Sequence, residues 1–328
     1  MKNQLKNSRV LVTGGAGFIG SALIETLLEQ NNEVVCLDSL ATGKRENMAD
    51  FIKNGDFRFI EGDIRNMSDC EAAVNGVEYV FHEAALGSVP RSVKDPVTTN
   101  EVNISGFLNM ITAARDAGVK RFVYASSSSV YGDHPALPKL EENTGNPLSP
   151  YAVTKKVNEL YARVFGDLYG METIGLRYFN VFGRRQDPDG QYAAVIPRFV
   201  KSLIHHEAPV IFGDGSQTRD FTYIENVVQA NILAAVVQNP EACNTAYNVA
   251  FGDRVTLNQL FVFLRDGLAA FDPAIGLIEP IYADPRQGDI PHSLASIDKT
   301  SGLLGYNPRF NLRQGLEHSV QWYWEHLK

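Results

Sequence analysis

The chain has 328 residues, 44% hydrophobic and 21% charged, with a formal net charge of −8. That length suits one large domain with a smaller one, and the acidic balance argues against nucleic acid as a partner, because phosphate binding needs a basic surface. The three cysteines, Cys36, Cys70 and Cys243, fit neither a disulfide framework nor a zinc site, so no metal is expected. The polar start lacks the apolar run of a signal peptide, and no apolar stretch reaches membrane-spanning length. A cytoplasmic protein without a membrane partner is expected.

Residues 10–13 form a β-rich run, and a helical pattern follows from Phe18 to about Gln30. Residues 33–37 read as the next strand, ending in Asp38, and residues 57–61 as another, ending before Asp63. Residues 79–82 and 121–126 repeat the theme, with a helix predicted between them over 102–116. This alternation predicts βαβ units. The fold class is therefore α/β, a Rossmann-type doubly wound parallel sheet. Its strand C-termini share one edge, where the loops carry the ligand. Residues 150–169 read as one long helix and 173–179 as a strand. After Gly183 come loops rich in Pro, Gly and Asp, and long loops on a scaffold usually carry function. The expected division is a dinucleotide-binding domain over 1–180 and a smaller mixed α/β substrate domain over 181–328, partly interleaved.

The strongest local motif is Gly15-x-Gly17-x-x-Gly20, between the first strand and the first helix. The first glycine permits a tight turn, the second a close approach to a pyrophosphate, and the third close helix–strand packing. Free N–H groups and the positive end of the helix dipole favour the phosphate charge. Asp38, after the second strand, can accept from ribose hydroxyls and would repel a 2′-phosphate, which favours NAD over NADP. Asp63 reads either as an adenine contact or as a helix N-cap. Ala84 and Ala85 fit a backbone passing close to the cofactor, or ordinary close packing.

Tyr151 and Lys155 stand four residues apart at the start of the 150–169 helix, so phenol and ammonium share one face. A nearby cation lowers a phenol's pKa and makes it usable as a base. Such a pair is common by chance. It gains weight from the dinucleotide motif and from the serine run 126–129 at a strand end.

TGGAGFIG, YASSSSVYG, YAVTK and LRYFNVFG together resemble the extended short-chain dehydrogenase/reductases that act on nucleotide sugars. Within them the chain looks most like the UDP-hexose 4-epimerases. RYFNVFGRRQDPDGQYAAVIPRF and FGDGSQTRDFTYIENV resemble the bacterial branch that prefers N-acetylated UDP-sugars and feeds surface-polysaccharide assembly. The resemblance implies Ser127, Tyr151 and Lys155 as the catalytic residues. It implies NAD contacts at Gly14, Gly17, Phe18, Ile19, Gly20, Asp38, Thr42, Gly43, Asp63, Ile64, Ala84, Ala85, Asn103 and Tyr178, besides Tyr151 and Lys155. It implies UDP-sugar contacts at Ser88, Ser127, Ser128, Ser129, Tyr151, Asn180, Ala194, Val195, Arg219, Arg286 and Asp289. Guanidinium groups at 219 and 286 suit a diphosphate, which they bind in bidentate fashion.

Two departures from related patterns narrow the reading. Dehydratases and decarboxylases of this superfamily carry an acidic residue just after the catalytic Ser or Thr. Here Ser128 and Ser129 follow instead. A bulky tyrosine near the sugar's 2-substituent excludes an acetamido group, and the matching position here is Ser293. The expectation is UDP-GlcNAc/UDP-GalNAc interconversion through a 4-keto intermediate. Its rivals are 4-epimerisation of UDP-glucose/UDP-galactose or of UDP-N-acetylhexosaminuronic acids, for which Arg91 or Lys94 would meet the carboxylate. A non-catalytic dinucleotide sensor is the distant rival. A homodimer is implied, formed through the Tyr151 helix and the helix from about Val102.

Overall fold

The computed structural model describes residues 4–188, 194–285 and 292–327. Seven strands form one sheet: Arg9–Thr13 (β1), Glu33–Asp38 (β2), Phe57–Glu61 (β3), Tyr79–His82 (β4), Arg121–Ser127 (β5), Thr173–Tyr178 (β6) and Thr245–Val249 (β7). Their order is β7-β6-β5-β4-β1-β2-β3, and every pairing is parallel. This is the Rossmann-type arrangement expected. The order reverses beside β1, where Thr13 pairs with Leu37 on one side and His82 on the other. Chains leaving β1 and β4 there diverge to opposite faces, which opens a crevice at the strand ends.

Alternation along β1 builds two cores. Val10 and Val12 join one, with Leu23 and Ile24 from helix Phe18–Glu29 and Val227 from helix Ile224–Val236. Leu11 points the other way, into a core with Cys70, Phe107, Phe122 and Ala162. Successive side chains of a strand face opposite sides, so a strand buried on both faces must be apolar throughout.

The long helix is Pro150–Tyr169. Ser149 caps it by accepting from the Ala152 N–H at 3.1 Å, and proline occupies its first turn. Gly170, at φ 67, ends it in the left-handed conformation. The helix predicted over 102–116 begins with a π-helical stretch, Glu101–Gly106, before Phe107–Asp116. Such a bulge rotates the side chains that follow it.

The second half contributes to both units. β7 extends the main sheet beside β6, and helix Ile224–Val236 packs on that sheet. Helices Val195–Ile204, Leu257–Ala269 and Leu312–His326 surround short strand pairs, including Thr218–Arg219 with Val255–Thr256. Among the described residues no helix is long and apolar enough to cross a membrane, and no cluster of potential ligands would hold a metal ion.

Candidate active site

At the crevice beside β1, Gly14 turns with φ +72, and a Cβ there would lie 2.7 Å from the Ala84 backbone nitrogen. Only glycine lets the turn after β1 touch the turn after β4. Helix Phe18–Glu29 then starts at Gly17 with no side-chain cap and no acidic residue in its first turn. Its first N–H groups have no intrahelical acceptor, and they sit at the positive end of the dipole. Asp38, at the end of β2, accepts from the Ala16 N–H at 2.9 Å and the Leu40 N–H at 2.8 Å. Each carboxylate oxygen keeps a lone pair for a further donor. Burial raises the Asp38 pKa, and these two backbone bonds oppose the rise.

A cavity of about 360 Å³ runs along this edge, lined by Gly14, Gly17, Asp38, Thr42, Gly43, Asp63, Ile64, Ala84 and Ala85. These nine residues, each an expected NAD contact, line one cavity. Gly43 is held close to Ala16, for a Cβ there would stand 2.8 Å from that residue's Cβ. Asp63 is tied to Arg65 at 2.6 Å, which lowers its pKa. Asn103 does not line the cavity. Its amide is engaged with the Leu86 N–H at 2.8 Å, the Leu86 carbonyl at 3.2 Å and Thr154 Oγ1 at 3.1 Å, so it positions the loop after β4.

A second cavity of about 530 Å³ shares Gly14, Gly17, Thr42, Glu83 and Ala85 with the first. Phe18, Ile19, Gly20, Ser88, Ser127, Ser128, Tyr151, Lys155, Tyr178, Asn180 and Ala194 also line it. Ser127, Tyr151 and Lys155 thus meet the glycine turn within this one cavity. The four serines divide. Ser126 donates to Glu159 at 2.6 Å, within a buried network where Arg177 also binds Glu159, at 2.8 Å. Ser127 faces the cavity, and its Oγ accepts from the Ser129 N–H at 3.1 Å. Ser128 lines the cavity, whereas the buried Ser129 hydroxyl has no partner.

Lys155 is buried and donates to the Ala125 carbonyl at 2.8 Å; its Nζ lies 6.0 Å from the Tyr151 ring centre. Burial lowers its pKa to about 8, with Glu83 and Glu159 opposing. The Tyr151 phenol stands above its ordinary value. Burial raises it, hydrogen bonding from Ser127 draws it back, and Glu83 adds to the rise. The expectation that Lys155 depresses the phenol is therefore not met in this structure, because desolvation of the phenolate dominates.

Sequence reasoning passed over Glu83 in HEAA. Its carboxylate accepts from the Tyr178 hydroxyl at 2.8 Å, and burial raises its pKa to about 7. Its place at a strand end was readable; its burial was not.

A third cavity, about 270 Å³, shares Asn180 and Ala194 with the second and adds Val195 and Arg219. Asn180, at φ 34, donates to the Asp220 carbonyl at 2.9 Å. Ser293 lies beside this region, its N–H bonded to the Thr218 carbonyl at 3.1 Å. Arg286 and Asp289 lie outside the described residues.

Residues 10–250 match the NAD dependent epimerase/dehydratase family. The chain belongs to that family. It is an extended short-chain dehydrogenase/reductase, an NAD-dependent enzyme, grouped with the nucleotide-sugar 4-epimerases by its relatives. A putative UDP-glucose 4-epimerase of Methanocaldococcus jannaschii is 38% identical, covering 95% of this chain and 97% of its own. A UDP-N-acetylglucosamine 4-epimerase of Methanobrevibacter ruminantium, solved with UDP-N-acetylmuramic acid, is 40% identical with TM-score 0.90, covering 97% of this chain and 99% of its own. The Thermus thermophilus UDP-glucose 4-epimerase, solved with NAD, is 36% identical with TM-score 0.83, covering 96% of this chain and 98% of its own. The glycine turn, the uncapped helix end and Asp38 fit the dinucleotide those relatives' family uses.

Proposed function

We propose that the protein is a 4-epimerase that interconverts UDP-GlcNAc and UDP-GalNAc. The observation that carries the reading is one continuous space joining the glycine turn to Ser127, Tyr151 and Lys155. No carboxylate follows Ser127, which opposes dehydration and decarboxylation. Small Ser293, beside the Arg219 strand, leaves room for an N-acetyl group and favours the acetylated sugar. The resemblance to the Methanobrevibacter enzyme supports the same choice.

In the proposed reaction Tyr151, as phenolate, removes the proton from the sugar O4, and the Ser127 hydroxyl bridges the two oxygens. NAD, which Gly14, Gly17, Gly20, Asp38 and Lys155 would hold, would supply the hydride chemistry at C4. Lys155 holds the phenolate electrostatically and binds the nicotinamide ribose. The 4-ketohexose then turns its other face inward while Arg219 keeps the diphosphate anchored. Firm diphosphate contacts beside loose sugar contacts permit that rotation without release.

Residues 1–180 are proposed as the NAD-binding unit and 181–328 as the UDP-sugar unit, with β7 and helix Ile224–Val236 crossing over. A homodimer through the Tyr151 helix is proposed from its exposed apolar row, with Leu160 56% and Leu168 69% exposed, and from Val97, 67% exposed on the helix leading to Val102. Arg91 lines both cavities and favours a carboxylated sugar as the second reading. Ser293→Tyr tests the substrate: turnover of UDP-GlcNAc should fall while that of UDP-glucose persists. Equal loss of both would remove Ser293 from the specificity account.

A further inference from the structure

Glu83 closes β4 with its N–H bonded to the Thr13 carbonyl at 3.1 Å, and it lines both the dinucleotide and the catalytic cavities. A donor chain fixes its carboxylate. Buried Asn231 donates through Nδ2 to the Tyr178 hydroxyl at 2.9 Å, and that hydroxyl donates to Glu83 Oε1 at 2.8 Å. Nothing in the proposed proton transfer uses this group. A carboxyl set into a buried wall with an ammonium and a phenol nevertheless acts on both through a low dielectric.

We infer that Glu83 is a positioning residue of the reaction, a half-buried counter-ion whose charge sets the protonation of Lys155 and Tyr151 together. The inference rests on the reading that Tyr151 and Lys155 carry the acid–base chemistry.

The titratable groups facing Glu83 are few. From its own strand His82 is held neutral, its pKa lowered to about 3 by burial and by Lys155. From the long helix come Tyr151 and Lys155, and from β6 comes Tyr178, whose phenol is pushed well up. Helix Ile224–Val236 presents the uncharged Asn231. Among the described charged groups around the cavity of Tyr151 and Lys155, Lys44 is paired with Asp187 at 3.0 Å and Arg185 with Glu25 at 3.0 Å, while Arg91 lines both cavities alongside Glu83. Ionised Glu83 acts on the Tyr151–Lys155 pair. It raises the Lys155 pKa by favouring the ammonium, and it raises that of Tyr151 by disfavouring the phenolate.

Both effects have one sign, so loss of the charge has a directional outcome. The two limbs of the profile, which belong to the coupled Tyr151–Lys155 pair, should move to lower pH together. A residue that merely packs would lower the height of the profile and leave its limbs in place.

The test is the kcat profile against pH of Glu83→Gln and Glu83→Asp beside the wild type. Glu83→Gln should shift the whole bell to lower pH by about one unit, and Glu83→Asp, which keeps the charge, should restore the limbs. Thermal unfolding gives a readout independent of turnover. The folded Glu83 pKa lies above its ordinary 4.5, at about 7. The wild type should therefore lose stability relative to Glu83→Gln as pH rises from about 4.5 to about 7. A Glu83→Gln profile that superimposes on the wild type overturns the inference. If Glu83→Gln does not fold, Glu83→Asp decides, and limbs that move despite the retained charge overturn it. Tyr151→Phe, measured alongside, separates the two levels. An inactive Tyr151→Phe with unmoved Glu83→Gln limbs sinks the counter-ion alone, whereas an active Tyr151→Phe sinks the acid–base reading beneath it.

Discussion

At the glycine turn the surface offered to a ligand is backbone: Gly14 against Ala84, Gly43 against Ala16, and the open N-terminus of helix Phe18–Glu29. Across the same space the surface is ionisable side chains, Tyr151, Lys155 and Glu83, each displaced from its ordinary pKa chiefly by burial. The first region achieves recognition by removing side chains, and its tolerance is steric. The second places ionisable groups away from water, and its tolerance is electrostatic. Substitutions should therefore fail differently in the two.

The largest effect is expected in the ionisable region. Tyr151→Phe removes the proposed acid–base group and should lower kcat by about 10²–10⁴-fold while the protein still retains NAD, read by steady-state kinetics and cofactor release on denaturation. Gly14→Ala should do the reverse. Its side chain meets Ala84 in a strained left-handed backbone, at a cost of about 1–3 kcal/mol, so NAD retention and Tm should fall together. A variant that keeps both would show the turn to be looser than its contacts imply.

Asp220 supplies a control for buried charge away from catalysis. Its carboxylate accepts from the backbone N–H groups of Phe251, Gly252 and Ala295, and burial raises its pKa to about 7. The folded pKa exceeds the ordinary 3.8, so its ionisation costs stability progressively from about pH 4 to about pH 7. This pH-dependent cost should vanish in Asp220→Asn, measured by denaturant unfolding at several pH values. The limbs of the activity profile should stay where they are, unlike those of Glu83→Gln. The smallest effect belongs to Asp38→Asn. It should weaken NAD about tenfold and narrow the preference against NADP, read by titrating the cofactor-stripped protein.

The same contrast explains what the sequence made legible. A turn built from absent side chains is written in the chain as glycines at fixed spacing, so Gly14–Gly20 and Asp38 were readable along with β1, β2 and the helix between them. Tyr151 and Lys155 were readable because i and i+4 share a helix face. The burial of Glu83 was not, since it depends on Tyr178 and Asn231 arriving from distant segments. β7 gave no local sign that it would leave the second half to pair with β6. Asn103 is a loop tether in the structure because three bonds from one amide arise only after folding.

The most direct test of the central claim is NMR of UDP-GlcNAc incubated with the purified protein and no added NAD. Inversion at C4 to UDP-GalNAc, with the remaining carbons intact, is the predicted result. Loss of water or carbon dioxide, or an unchanged sugar with a folded, NAD-loaded protein, would contradict it.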